Sequence, residues 1–367
     1  MRKTIVISTS WRFRPIPRHF ISLAEHLSEN NYKVILLLKG KKRTLNIKSS
    51  NITVKSWPVK SKSYIANCIF LLKIIKKYKS NILISNFSAV NAFAIVGKII
   101  GVKYNIGWYH TVSGASEVDS NYSFFKLSLL RKRKSIFYRL LTHIIAPSNY
   151  ALNDFFTTYR IKHINKLVYP NSIPDPQNQN RLKISSEKEY DLVSIGSLLK
   201  NKGHDVLVKS IHILKSRKIN LSIAIVGNGP ELKVLKKNIT DLELENNISI
   251  IKNMDNDGVY DILSKAKVLV VPSRYEAFGI VNIEAFSMGV PVIGSDIGAI
   301  SEIIDHGKNG LLFKKEDSLD LSKKIEFLLK NKLLLKKFGA NAREKYVKYY
   351  SSKNAIEQQT SLIKSLS

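Results

Sequence analysis

The sequence predicts an α/β protein made of two doubly wound parallel-sheet domains whose strand ends line a central cleft, and three observations carry that reading. The 367 residues exceed what one hydrophobic core usually supports, and an apolar content of 44% is enough for two ordinary cores. Short β-rich runs alternate with runs of helical periodicity, the pattern of βαβ units. The alternation breaks once, over residues 170–190, where Pro170, Pro174, Pro176, Gln177 and Gln179 stand in a polar stretch with no periodic apolar face. The predicted organisation is a first domain over 1–174, a linker over 175–190, a second domain over 191–345 and a terminal helix over 346–367.

In the first domain the strand candidates are 3–8, 33–38, 52–57, 82–85, 104–109, 144–146 and 167–169, with helices predicted over 18–28, 64–78, 90–100, 124–141 and 149–156. The second series opens with a strand at 191–195 and a helix over 204–217, where Leu207, Ile211 and Leu214 recur at helical spacing. It continues with strands at 220–226, 248–251, 267–271 and 290–293. A helix over 279–288 is ended by Gly289, and Pro291 opens the strand that follows. Residues 318–367 read as mainly helical, and no short-period repeat or coiled coil is present.

Net charge is +31, and its distribution is uneven: residues 1–175 hold 29 Lys and Arg against 6 Asp and Glu, leaving +23, and the remainder holds 30 against 22, leaving +8. The basic face therefore belongs to the first half. Part of the excess also matches the Lys, Asn and Ile bias of AT-rich coding sequence. The single cysteine, Cys68, forbids an internal disulfide and fits a reducing compartment, though it reads equally as a small buried hydrophobe. The first eleven residues carry only three consecutive apolar positions, unlike a secretory signal, and no apolar run reaches the length of a membrane span. A soluble or peripheral protein is expected.

The most informative stretch is 272–293, because it sets Glu276 on a loop and Glu284 in the first turns of the following helix. Were all of it helix, the two carboxylates would be separated by roughly 12 Å of axial rise. A loop followed by a helix lets both face one pocket at the carboxyl end of the preceding strand, where open α/β sheets bind ligands, and the helix start offers free amides to a phosphate. On spacing alone, a surface loop followed by a helix with an exposed Glu accounts for the same residues. A second loop, Gly196-Ser197-Leu198-Leu199-Lys200-Asn201-Lys202-Gly203, opens the helix at 204 and suits a diphosphate, with Lys202 as a mobile cation. Gly227 to Glu231 is a tight turn with Pro230 fit for a first helical position.

These segments resemble the group 1 family of retaining glycosyltransferases, which share the two-Rossmann-domain (GT-B) fold. Residues 276–284 resemble the family's Glu, seven residues, Glu motif, and the Gly196 and Gly227 loops resemble its Gly-Arg-Leu...Lys-Gly and Gly-Asp-Gly-Pro segments. The resemblance is specific mainly over 191–313 and matches the first half only in outline. It implies that Glu276 contacts the donor sugar, Glu284 holds the ribose hydroxyls, and the amides of Phe278, Gly279 and Ile280 hold phosphate. It further implies donor contacts at Gly196, Lys202 and Gly227, and a last helix that crosses back to the first domain. Ser197 stands where the family has Arg, so one hydroxyl replaces a guanidinium at the diphosphate, with Lys200 as a nearby substitute. His110, just past the strand ending at Tyr109, resembles a family histidine near the reacting carbon; read alone, it is a structural hydrogen-bonder.

The family's Gly-Gly after the first strand is missing, and Arg12 and Arg14 are expected to meet an anionic acceptor there, among Trp11, Phe13, Arg18 and His19. Ser148 and Asn149, after the strand at 144–146, are expected to cap a helix, and Asn171 matches a family Asn near the hinge. Asp255-Asn256-Asp257 is read as a helix cap rather than a metal site, and neither a metal nor a cofactor is expected. Residues 124–137 join Phe124, Phe125, Leu127, Leu129 and Leu130 to Arg131, Lys132, Arg133 and Lys134, a composition suited to anionic lipid headgroups or to a solvated helix face. The resemblance thus points to a retaining transferase moving sugar from a UDP-linked donor to a lipid-linked or polysaccharide acceptor in bacterial cell-surface assembly, O-antigen or capsule. Its expected location is cytoplasmic, peripheral at the inner face of the membrane. Two other readings are a basic nucleic-acid-binding protein, for which no motif beyond charge is found, and a catalytically retired nucleotide-sugar-binding homologue.

Overall fold

The computed structural model describes residues 3–11, 15–40, 47, 49–58, 64–120, 122–178, 187–252 and 254–366. They form two compact units, one of Met1–Ser113, Tyr122–Ile173 and Ser352–Ser367, the other of Gly114–Asn121 and Pro174–Ser351.

The first unit contains β1 (Thr4–Ser10), α1 (Pro15–Glu29), β2 (Lys33–Lys39), β3 (Ile52–Ser56), α2 (Tyr64–Tyr78), β4 (Ile82–Asn86), α3 (Val90–Ile100) and β5 (Tyr104–Trp108). A short helix α4 (Ser113–Asp119) follows, and from Gly114 its residues belong to the second unit. The chain then adds α5 (Phe124–Tyr138), β6 (His143–Ala146), α6 (Asn149–Tyr159) and β7 (Asn165–Val168). All seven strands are parallel, in the order β3-β2-β1-β4-β5-β6-β7. Strand alternation divides the buried residues cleanly. Ile5, Ile7, Val34, Leu36 and Leu38 pack on one face, Val6, Ile35 and Leu37 on the other, so central strands read as continuous apolar runs rather than alternating ones.

The second unit contains β8 (Tyr190–Ile195), α7 (His204–Ser216), β9 (Ile223–Val226), α8 (Leu232–Asp241), β10 (Ile248–Ile251), α9 (Asn256–Ser264), β11 (Ala266–Val271), α10 (Ile280–Ser287), β12 (Val292–Ser295), α11 (Gly298–Ile303), β13 (Gly310–Phe313), α12 (Ser318–Lys330) and α13 (Lys332–Lys345). Its six parallel strands run β10-β9-β8-β11-β12-β13 around a core that includes Leu192, Leu207, Ile211, Val268, Val270 and Phe313. A π-helical turn at Tyr346–Tyr350 closes the unit, and the last helix, α14 (Ser352–Leu366), returns to the first, where Ile356 and Ile363 join the core on α1. The α/β class, the two parallel sheets and the returning helix are those expected from the sequence.

Differences fall on short or half-exposed elements. β13 goes unread because its four residues, entered from a turn at 307–309, give no periodicity; it is recognised only once paired with β12. β7 starts two residues earlier than expected, since Asn165 and Lys166 are exposed and carry no apolar signal. In the proline-rich stretch, Asp175 forms a two-pronged ion pair with Arg343, and Gln177 donates to the Ser287 carbonyl, so residues 175–178 are held by the second unit.

Candidate donor site

In the second unit the chain winds outward from β8 through β9 to β10, then resumes on the other side of β8 with β11. The switch point therefore lies between β8 and β11, and the loops 196–203 and 272–279 leave the sheet beside each other there. Glycines set how closely they approach. A Cβ on Gly203 would sit 2.0 Å from the Pro272 carbonyl oxygen, and one on Gly227 would sit 1.9 Å from that of Gly196. Gly203 and Gly227 are thus fixed by backbone contact, whereas a Cβ on Gly196 would meet nothing nearer than 3.9 Å. Leu198 bonds to the turn after β9 through Asn228 and Glu231, locking that turn to the same edge.

Lys202 and Glu276 meet across this junction. Nζ lies 2.5 Å from Oε2, with side-chain exposures of 24% and 15%. The loop that carries Lys202 is held by Arg274, whose guanidinium grips Asp205 with two bonds of 2.9 and 2.8 Å, reaches Glu316 at 2.6 Å and donates to the Lys200 carbonyl. Its own amide donates to the Asn201 carbonyl. Burial alone would raise the Asp205 carboxyl, but the hydrogen bonds and charge of Arg274 outweigh it and the net shift is downward. Arg274 and Asp205 are positioning residues that sequence reasoning missed; Asp205 reads as an ordinary first-turn acid of α7.

Gly279 begins α10 at φ +84°, a left-handed backbone only glycine adopts cheaply, and a Cβ there would collide with the Asn282 amide and crowd Glu276 Cγ. Its N-cap, Gly279, offers no side chain to the amides of this helix. Phe278 buries its ring edge-on against Tyr350 of the π-helical turn, anchoring the loop. Glu284 lies in the second turn and is 7% exposed. Asn282, fully buried, has neither amide oxygen nor nitrogen partnered among the described residues, a second feature invisible in sequence. Ser197 is exposed, and Ile280 half-buried. Gly196, Ser197, Lys202, Gly227, Glu276, Phe278, Gly279, Ile280 and Glu284 therefore all belong to the loops and helix at this one sheet edge.

His110 belongs to the first unit. Its ring nitrogens are buried and unpartnered among the described residues, with the ring stacked on Phe87 at 5.0 Å and Trp108 at 6.1 Å. Burial, reinforced by neighbouring His19, lowers its pKa to about 3, so it is neutral at physiological pH. His19, grouped by sequence with the loop after β1, is instead a core residue bonded to Ser172 at 2.8 Å. Arg12 and Arg14 lie outside the described residues. Ser148 caps α6 through the Ala151 amide, and Asp255 caps α9 through that of Gly258.

Comparison with known proteins agrees with this geometry. Residues 176–345 match the family model of glycosyl transferases group 1. Over those residues the chain is similar to the group 1 glycosyltransferases. An uncharacterised glycosyltransferase of Methanocaldococcus jannaschii is 28% identical over 293 residues, covering 73% of this chain and 80% of the relative. The capsular polysaccharide biosynthesis glycosyltransferase CapM of Staphylococcus aureus is 26% identical over 230 residues, 60% of this chain and 58% of CapM. The chain thus spans little more than half of that relative. Among solved structures, Anabaena HepE in complex with UDP and glucose superposes with a TM-score of 0.77 at 15% identity, covering 99% of this chain and 100% of HepE, which bears on fold alone. The chain described here shares the GT-B fold of these neighbours.

Proposed function

We infer that the protein transfers a sugar from a UDP-linked donor to a lipid-linked or polysaccharide acceptor with retention of anomeric configuration and without a metal ion. The observation that carries the reading is the Lys202–Glu276 pair set beside the start of α10, with Glu284 buried one turn on. Lys202 and the first-turn amides form an anion cradle, and the diphosphate replaces Glu276 as the partner of Lys202 when donor enters. Glu276, thereby released, faces the sugar; Glu284 takes the ribose hydroxyls.

In the transfer step the bond from the anomeric carbon to the β-phosphate oxygen breaks, and its electron pair leaves with UDP. The acceptor oxygen bonds to the same face of that carbon, and its proton passes to the departing phosphate oxygen. No protein nucleophile takes part. Glu276 stabilises the cationic sugar, and neutral His110 is assigned to a sugar hydroxyl. The solved HepE complex holds UDP and glucose, and CapM acts in capsular polysaccharide biosynthesis, which together favour a UDP-sugar and a cell-surface glycan over other substrates of the family. Arg12 and Arg14 are assigned to an anionic acceptor, and a lipid-linked acceptor places the protein at the cytoplasmic face of the membrane.

The test is a calorimetric titration with UDP, GDP and ADP, followed by UDP release assays with a panel of UDP-sugars. Selective binding of UDP and turnover of one UDP-sugar are expected. Preference for another base, or for single-stranded oligonucleotides over all nucleotides, refutes the assignment.

A further inference from the structure

We propose that α5, together with the first turns of α2, is the surface that docks the protein on a bilayer containing anionic phospholipid. No residue of α5 is buried, and its largest apolar side chains stand in solvent: Phe124 is 83% exposed, Phe125 79%, Leu129 59% and Ile136 62%. Phe125, Leu129 and Ile136 lie within about 40° of one another around the helix. Lys132 and Arg133 share that side, and Lys126 and Arg139 are exposed beside them. Residues 120–153 contain six Lys and Arg and no Asp or Glu.

α2 extends the patch. Tyr64 packs on Phe137 with ring centroids 6.0 Å apart, and Ile65 and Ile69, one turn apart, are 69% and 47% exposed. Of sixteen large exposed hydrophobics among the described residues, eight fall within 64–69 and 122–136, so the apolar exposure is concentrated where the cations are.

Charge and apolarity together select the occupant. A second copy of a chain carrying +31 would set two basic patches against each other. A soluble polyanion would meet the cations and leave the phenyl rings in water. A bilayer accommodates both, rings at the acyl boundary and ammonium and guanidinium groups among phosphates. This deepens the reading of a membrane-borne acceptor, but its test contains neither donor nor acceptor, so either can fail while the other stands.

The experiment is cosedimentation of the full chain with vesicles of phosphatidylcholine, with and without a minority of phosphatidylglycerol. Binding to the anionic vesicles only, weakened by salt, is expected. Lys132→Glu with Arg133→Glu should lower affinity at least tenfold, since each cation near an anionic surface contributes a factor of about five. Phe124→Ser with Phe125→Ser should lower it about tenfold while keeping the salt dependence. All four residues are exposed, so the fold is not at stake, and unchanged UDP binding confirms it. Lys236→Glu with Lys237→Glu, an equal charge change on exposed positions of α8, should leave vesicle binding within twofold. The proposal is overturned by wild type that binds neither vesicle, by a Phe variant that binds like wild type, or by an α8 variant that loses as much as the α5 one. Wild type that ignores vesicles but binds heparin would assign the patch to a polyanion instead.

Discussion

Glu276→Gln separates the two duties assigned to the pair at the switch point. Lys202 is engaged by Glu276 at 2.5 Å, both side chains mostly buried. At an effective dielectric of about 20, unit charges roughly 3–4 Å apart attract by about 4–6 kcal/mol, but most of that is offset by desolvation, and about 1 kcal/mol is a realistic net coupling. A diphosphate must displace the carboxylate to reach Lys202. Neutralising Glu276 therefore returns that coupling to the nucleotide, and UDP should bind as well as to wild type or up to about fivefold tighter. The same change removes negative charge from beside the cationic sugar, which should lower kcat by about 10²–10³. Calorimetry with UDP and initial rates with the accepted UDP-sugar measure the two effects separately. A variant that binds UDP tenfold more weakly and turns over normally would make Glu276 a nucleotide ligand, and wild-type values in both assays would remove the loop from the site.

Glu284→Gln should weaken UDP binding by about 10–100-fold in the same calorimetric assay, because charge-assisted hydrogen bonds to the ribose are lost. Thermal melts should distinguish the glycines: Gly227→Ala, whose Cβ would sit 1.9 Å from the Gly196 carbonyl oxygen, should cost about 2–4 kcal/mol and lower Tm by roughly 5–10 °C. Gly196→Ala, with open space around its Cβ, should stay within about 0.5 kcal/mol of wild type. The His110 pKa, lowered from 6.5 to about 3 by burial, makes the folded state bind fewer protons than the unfolded one between those values. Stability is therefore complete above pH 6.5 and falls as pH drops, by about 2 kcal/mol from pH 7 to pH 5 for this residue. Urea midpoints at the two pH values should show a smaller fall in His110→Phe than in wild type, and an equal fall would place the ring in water.

The α/β class and the Glu276 to Glu284 segment were legible because local rules suffice for them. Buried parallel strands announce themselves as short apolar runs, Gly279 and Gly289 bracket a helix, and spacing alone puts the two acids on a loop and on the turn that follows. The basic character of the first half was equally plain, being a count. Other features depend on residues distant in sequence. Nothing around Asp205 shows that it will be pinned by Arg274, sixty-nine positions on, nor does His19 reveal that it faces Ser172 across the core rather than the loop after β1. Gly196 and Gly227 look alike as letters, and only the approach of one backbone to the other distinguishes the required glycine from the tolerated one. Sequence determines what each segment is disposed to form, because propensity and periodicity act within a few residues. Which carboxylate meets which cation, and which aromatic ring is left facing water, was decided by how sheet order folds distant loops onto one edge.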